Sequence, residues 1–525
     1  MDAKIVWLFI FVALYWGYCI FWGIKGAISS KTATDYFLAG RSISLWVFVL
    51  AATATSFSGW TFMGHPGLLY RDGFQYAYAS FYAITIPFTG VIFLKRQWIL
   101  GKRFGFVTPG EMLSAYFKSD AIRLLVVLVA LIFSVPYLGL QLRASGFLFN
   151  VLTDGMFGVN TGMWMLSAVV LIYVASGGLR AVAYVDTMQA VLLALGIVAI
   201  GIIAYNMLPE GKSWAELLGA LAQHDPKKTA EGYSHYIAIP GVIQFVAGLG
   251  VENPVGGAWT GMMILTYMFA LMGIQSAPAF SMWAFSNHNP KPFAPQQVWA
   301  SAFGIGFILM VFTAIQGLGA HFLGADTAFM AAHPDLVNNV MGAGLGGKDL
   351  MESAGKQGML VPQLIYLMAD AAPWLVGLLS VCALAAMQST GAAYMSTAGG
   401  MLTRDILKRF VMPTASHGQQ KLWGRIGVAV IVLAALVVAT TATDALVLLG
   451  GLAVAYGFQM WPALMSVCYF PWLTRQGVVL GLIAGLIAVT LTEKIGAQYM
   501  PWGLSLIHIS EPTRLLRRSR MPSSA

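Results

Sequence analysis

Residues 50–67 read Leu-Ala-Ala-Thr-Ala-Thr-Ser-Phe-Ser-Gly-Trp-Thr-Phe-Met-Gly-His-Pro-Gly, and they lie where a membrane-spanning helix is expected. Several hydroxyl side chains stand at bilayer depth here, and Gly59, Gly64 and Pro66 weaken the helix. An unpaired backbone group is costly in lipid, so an interrupted helix survives only where it is buried in protein or lines a water-filled cavity. We therefore predict an interrupted helix in this stretch.

A second interruption occurs at residues 273–278, Gly-Ile-Gln-Ser-Ala-Pro, inside a later apolar run. Two interrupted helices at corresponding places in two halves of a chain are typical of secondary transporters, which bind solute and ion at the breaks. The sequence therefore predicts a transporter whose binding site lies between the two breaks.

The composition supports a membrane protein. Of the 525 residues, 58% are hydrophobic and only 10% are charged, whereas soluble domains carry about 25% charged residues. The net charge of +9 does not indicate a nucleic-acid partner, because the basic residues fall in short connectors between apolar runs. The three cysteines lie in apolar segments and form neither a metal motif nor a redox motif. We predict an all-α polytopic membrane protein in the lipid bilayer.

Twelve apolar runs, most of them about 20 residues long, predict twelve spans. They are residues 5–24, 43–63, 74–94, 121–152, 162–175, 185–208, 256–285, 298–323, 360–401, 426–440, 445–469 and 478–492. Connectors that follow odd-numbered spans are richer in Lys and Arg than the alternate ones, which predicts that the N-terminus faces outside.

Two groups of five spans suggest an inverted repeat. The first group covers about 42–208 and the second about 256–470, and each begins with an interrupted helix. Because five is odd, the two groups enter the membrane from opposite sides, as in several transporter folds. We expect one membrane domain over residues 1–503.

The last segment, residues 504–525, begins Leu-Ser-Leu-Ile-His-Ile-Ser-Glu-Pro-Thr-Arg. It resembles the translation of a transposase-type sequencing adapter. We expect this tail to be an artefact and the natural chain to continue differently after residue 503.

Hydroxyl groups in the ninth span predict an ion site. Ser389 and Thr390 lie about one turn after Ala386, so two hydroxyls and one carbonyl can reach a common point. Neutral oxygens suit a monovalent ion that must also be released. The alternative is that these hydroxyls bond their own helix or join it to a neighbour.

Four segments taken together resemble the sodium–solute symporter family: residues 35–42, 58–60, 177–189 and 385–390. Relatives in that family include proline, pantothenate, monocarboxylate and sodium/galactose transporters. The resemblance implies a leucine-transporter-type fold with a five-plus-five inverted repeat, one extra leading helix and usually thirteen spans. About twelve of the thirteen are then present here. It also implies Na⁺ as the coupling ion.

The resemblance also implies a set of sodium ligands. The backbone carbonyls of Ala54, Phe57 and Ala386 and the hydroxyls of Ser389 and Thr390 match the family's conserved site.

Asp186 matches an acidic residue of the family that serves sodium release to the cytoplasm. An ion pair with Arg180 near the membrane surface is the structural alternative for this carboxylate.

Three residues near the breaks are candidate substrate contacts. Gln275 lies in the second break, where the sugar-transporting relative has a substrate-contacting amide, although it could instead pair with exposed backbone. Ser56 stands where the proline permease has an aspartate, which puts a proline-type cation pathway in doubt. Trp60, together with Phe57, could supply an apolar wall or simply pack.

Arg143 lies inside the fourth predicted span, where a guanidinium costs about 2.5–3.5 kcal/mol by insertion scales. A substrate carboxylate could pair with it in a bidentate manner. The alternative is an arginine that extends toward the outer interface or bonds loop carbonyls.

We therefore predict a bacterial inner-membrane, sodium-coupled symporter of a small organic solute. A monocarboxylate or similar anion is the first expectation, followed by an amino acid and then a sugar. The alternative from another class is a transporter-like sensor domain of a longer signalling protein, such as a histidine kinase. No nucleophile–base pair, metal cluster or phosphate loop indicates an enzyme, and no obligate protein partner is evident.

Overall fold

The computed structural model describes residues 2–77, 82–208, 261–334, 356–441 and 446–491, together with residues 80 and 216. Across these residues all regular elements longer than an isolated bridge are helical, which confirms the all-α prediction. The predicted tail at 504–525 lies outside the described residues.

Up to residue 208, the described residues form nine α-helices. In chain order, α1 to α9 are Ala3–Ser29, Ala33–Leu38, Leu45–Ser56, His65–Asp72, Phe74–Ala77, Tyr82–Phe104, Pro109–Phe117, Asp120–Leu152 and Val159–Asn206. A π-helical segment, Trp60–Gly64, leads directly into α4.

Eleven further helices follow among the described residues. In order, α10 to α20 are Gly261–Leu271, Gly273–Ser276, Pro278–Ser286, Pro295–Gly324, Thr327–Ala332, Leu360–Tyr366, Pro373–Met401, His417–Thr441, Leu446–Phe458, Trp461–Cys468 and Arg475–Leu491. Helix α13 contains two π-helical segments, and α16 continues as a π-helix over Leu402–Val411.

Both predicted interruptions are present. The halves Leu45–Ser56 and Trp60–Tyr70 are bent by 52°, and Tyr267–Ser276 and Pro278–Ser286 are bent by 43°. In the first, Phe57 leaves helical geometry (φ −119°, ψ 107°). In the second, Ala277 does so (φ −59°, ψ 151°), directly before a proline.

Backbone bonds join the two bent helices at one end and fix their relative direction. The Ile43 amide, just before α3, donates to the Ser286 carbonyl at 3.2 Å, and the His288 amide donates back to Ile43 at 3.2 Å. The start of one bent helix therefore lies beside the end of the other, so the two run in opposite directions, as an inverted repeat requires.

Predicted spans five and six are the two arms of α9, and they meet at a kink. The backbone of α9 leaves helical geometry at Gly178 (φ 59°, ψ −156°), between the two predicted spans. A side chain at Gly178 would meet the Tyr36 carbonyl of α2, so the left-handed conformation and the close packing both require glycine.

The number of helices able to cross a membrane on their own is smaller than the number of predicted spans. Six described helices are long and apolar enough, and the two bent pairs bring this number to eight. Predicted spans three, eleven and twelve correspond to α6, to α18 with α19, and to α20. These helices are shorter or more polar than the other spans.

Candidate functional site

The C-terminal end of α3 meets the middle of α16, and most of the predicted sodium ligands converge there. The Ser389 hydroxyl donates to the carbonyls of Ala54 at 3.0 Å and Ala386 at 3.2 Å. The Thr390 hydroxyl lies 3.3 Å from the Ala54 carbonyl and 3.2 Å from that of Thr55. All five residues are buried.

The helix break explains why these carbonyls are available. The last carbonyls of a helix have no following N–H to accept from. At the end of α3 the Phe57 amide still pairs with Thr53, at 3.2 Å, while the next two carbonyls accept from α16. Phe57, the fifth predicted ligand, is the residue at the break itself. The result is a compact group of neutral oxygens, which fits Na⁺.

Asp186 lies beside this group of oxygens and is completely buried. One carboxylate oxygen is 3.4 Å from the Thr55 hydroxyl, and the other has no partner within the described parts of the chain. Arg180 donates instead to the Ala39 carbonyl at 3.2 Å and approaches Ser42 at 3.5 Å. The ion pair considered as the structural alternative is therefore not formed.

Ser56 and Gln275 bring the two breaks into direct contact. The Gln275 amide nitrogen donates to the Ser56 hydroxyl at 3.2 Å, and both side chains are buried. The Ser56 hydroxyl itself donates to the Ala52 carbonyl at 3.0 Å. A solute held between the breaks would meet this pair.

Trp60 begins the second half of the first bent helix and packs among polar aromatic rings. Its ring centroid lies 5.2 Å from Tyr82 and 6.0 Å from both Tyr267 and His65. These rings present hydroxyl and imidazole edges as well as apolar faces, so the surroundings of Trp60 have mixed polarity.

Two residues of α8 also support the first break, and sequence reasoning did not single them out. Tyr137 and Ser58 share a hydrogen bond of 3.1 Å, and the Gln141 carbonyl accepts from the Gly59 amide at 2.9 Å. A glutamine one turn after Pro136, inside an otherwise apolar run, was the available signal.

Arg143 lies on another face of α8. It follows Gln141 by two residues, which is about 200° around a helix, so it points away from the side that meets the break. Its guanidinium carbon lies 5.7 Å from the centre of the Phe147 ring. The described contacts do not bring Arg143 together with Ser56, Trp60 or Gln275.

Known proteins resemble this chain in sequence. The sodium/proline symporter of Escherichia coli (strain K12) is 24% identical over 478 residues, covering 89% of this chain and 84% of that protein. The one from Staphylococcus aureus (strain USA300) is 23% identical over 523 residues, covering 96% and 88%.

Among solved structures, a Na⁺-coupled sialic acid symporter in a substrate-bound outward-open state superposes with a TM-score of 0.70. It is 18% identical, and the match covers 100% of this chain and 99% of that one. This likeness confirms the leucine-transporter-type fold. A model of the sodium:solute symporter family matches residues 36–485. With two bent helices in contact, a group of neutral oxygens where the first of them meets α16, and a family match over most of its length, the chain belongs to the sodium:solute symporter family.

Proposed function

We propose that this protein imports a small organic anion, in the first instance a monocarboxylate, together with Na⁺ by alternating access. Na⁺-coupled symport and a multi-pass location in the membrane follow from family membership. The identity of the solute, the ligands of the ion and the direction of import are the proposed parts.

The observation that carries the sodium site is the pairing of carbonyls at the end of α3 with hydroxyls from α16. Ser389 and Thr390 bond the carbonyls of Ala54 and Thr55 across two helices. An ion bound here would join the first bent helix to α16. Asp186, reached through Thr55, would offer the ion a charged group on its way to the cytoplasm.

The surroundings of the breaks support a small solute with a carboxylate. The second half of each bent helix begins at the break, at Trp60 and at Pro278, and the N-terminal end of a helix favours negative charge. Ser56 and Gln275 add a hydroxyl and an amide, and Trp60 adds an apolar wall. Arg143 would take part only through a change in its present orientation. The named relatives add proline to the solutes that should be tested.

Transport in proteoliposomes tests this proposal. Replacing both Ser389 and Thr390 with Ala removes two ligands but no carbonyl, so we expect sodium-stimulated uptake to fall at least 100-fold with the protein still folded. The assay is uptake of labelled acetate, pyruvate, lactate, proline and galactose under an inward sodium gradient. Ser396→Ala, farther along α16, is the control. A double variant with unchanged sodium dependence would falsify the assigned ion site.

A further inference from the structure

The exposed surface of α6 is apolar near the start of the helix and basic near its end. Ile84, Phe88 and Val91 have exposed fractions of 53%, 52% and 53%. Because they are spaced by four and three residues, they share one face of the helix. Large apolar side chains on the outside of a membrane-spanning helix contact lipid, so this apolar stripe of α6 faces acyl chains.

Exposed basic residues occupy the last turns of α6. They are Lys95, Arg96, Lys102 and Arg103. At 100° per residue they lie within about 120° of one another around the helix, and the two lysines continue the apolar stripe. None of them forms an ion pair with a carboxylate of the described residues. This basic face of α6 therefore carries positive charge that the described part of the chain does not balance.

Contacts with the end of α19 hold the Arg96 guanidinium in place. Its Nη1 donates to the Cys468 carbonyl at 2.8 Å, and its carbon lies 4.0 Å from the centre of the Tyr469 ring. The Tyr469 hydroxyl donates to the Ile92 carbonyl of α6 at 2.7 Å, which fixes that ring. Among the described residues the guanidinium uses one of its N–H groups, and Arg96 is exposed. A held guanidinium with free donors suits bidentate binding of a phosphate group.

A row of exposed aromatic rings continues from Tyr469. The Phe470 ring centroid lies 6.3 Å from that of Tyr469 and 6.0 Å from that of Trp472. The exposed fractions of the three side chains are 37%, 44% and 72%. Exposed aromatic side chains of membrane proteins concentrate at the level of the lipid headgroups. We therefore expect Arg96, which lies on the first of these rings, to stand at the depth of the lipid phosphates.

We propose that the basic face of α6 binds an anionic phospholipid, with the phosphodiester on Arg96 and the acyl chains along the apolar stripe. The basic residues place this end of α6 at the cytoplasmic leaflet, and basic surfaces beside membrane helices on that side bind anionic headgroups. A soluble phosphate or an acidic peptide would use only the positive charge. The apolar stripe in line with that charge favours a lipid.

Binding of phosphatidylglycerol to the purified, delipidated protein in detergent tests this proposal. The measurement is the dissociation constant of the first lipid that binds, from bound lipid per chain in native mass spectrometry. We expect Lys95→Gln/Arg96→Gln to bind about 30-fold more weakly than the wild type, about fivefold for each basic residue lost. Lys31→Gln/Lys118→Gln removes two exposed basic residues elsewhere, and this matched control should bind like the wild type.

Two further ligands and one further variant complete the test. Phosphatidylcholine, which has the same phosphodiester but no net charge, should bind the wild type about tenfold more weakly. Glycerophosphoglycerol, the headgroup without acyl chains, should not displace the lipid; if it does, the ligand is a soluble anion and the proposal is wrong. If the double variant does not fold, Arg96→Lys keeps the charge without the planar guanidinium and should also weaken binding. Equal binding of the two lipids, or a folded Arg96 variant that binds like the wild type, overturns the site.

Discussion

Whether Arg143 can contact a solute depends on the direction in which its side chain leaves α8. A guanidinium inside an apolar run suggests an anionic ligand, but the angular position of Arg143 on α8 differs by about 200° from that of Gln141, which faces the break. The positive ends of two half-helices supply an alternative source of attraction for a carboxylate.

We predict that Arg143→Gln lowers uptake of an anionic solute and of a neutral one by similar factors. The reason is that Arg143 lies on a face of α8 away from the breaks, so its loss should act through stability and not through solute recognition. Uptake of labelled lactate and galactose, normalised to folded protein, measures this. A loss at least tenfold larger for lactate would show that the guanidinium reaches the solute.

The first bent helix needs support at its break. The Gly59 amide begins a new half-helix and has no carbonyl of its own helix to pair with. Gln141 supplies the acceptor at 2.9 Å, and Ser58 accepts from the Trp60 amide at 3.1 Å.

Gln141→Leu should therefore destabilise the protein. The substitution leaves a buried amide without a partner, which costs about 1–3 kcal/mol. We expect a lower Tm in detergent, with the loss partly recovered by saturating Na⁺ because the ion binds the folded break. Gln97→Leu is the matched control. Gln97 is also buried, but its amide atoms make no hydrogen bond with the described residues, so its loss should leave Tm unchanged or higher. Equal losses in both variants would contradict this role of Gln141.

The break in the first bent helix could be predicted from the sequence, because glycine, proline and hydroxyl residues directly weaken a helix in an apolar run. The burial of two glutamines could not. Gln296 and Gln297 follow Pro295 and look like the polar end of a connector, and only the packing of α13 against α3 and α6 buries them. Arg180 follows the kink at Gly178 that separates the two arms of α9, and its side chain is held by the turn after α2.

The distribution of basic residues along the whole chain predicts which ends of the membrane-spanning helices face the cytoplasm. Lys118 lies just before α8 and Met156 just after it, so the two are on opposite sides of the membrane, and both are exposed. The three native cysteines are buried and should not react. This makes the chain suited to labelling of single introduced cysteines.

We predict that Met156→Cys reacts with a membrane-impermeant maleimide in intact cells. Lys118→Cys should react only after the membrane is permeabilised, because its basic connector is expected in the cytoplasm. The unmodified protein is the control for background labelling. The reverse pattern would place the N-terminus inside and invert the orientation proposed above.

The paired backbone bonds that join Ile43 to Ser286 and His288 have a consequence for the way the bent helices move. Any motion that separates the start of α3 from the end of α12 must break both bonds. Two such bonds contribute about 1–3 kcal/mol net, which makes a state with the two ends separated rarer by about 5- to 150-fold. We therefore expect these two ends to move together as one hinge.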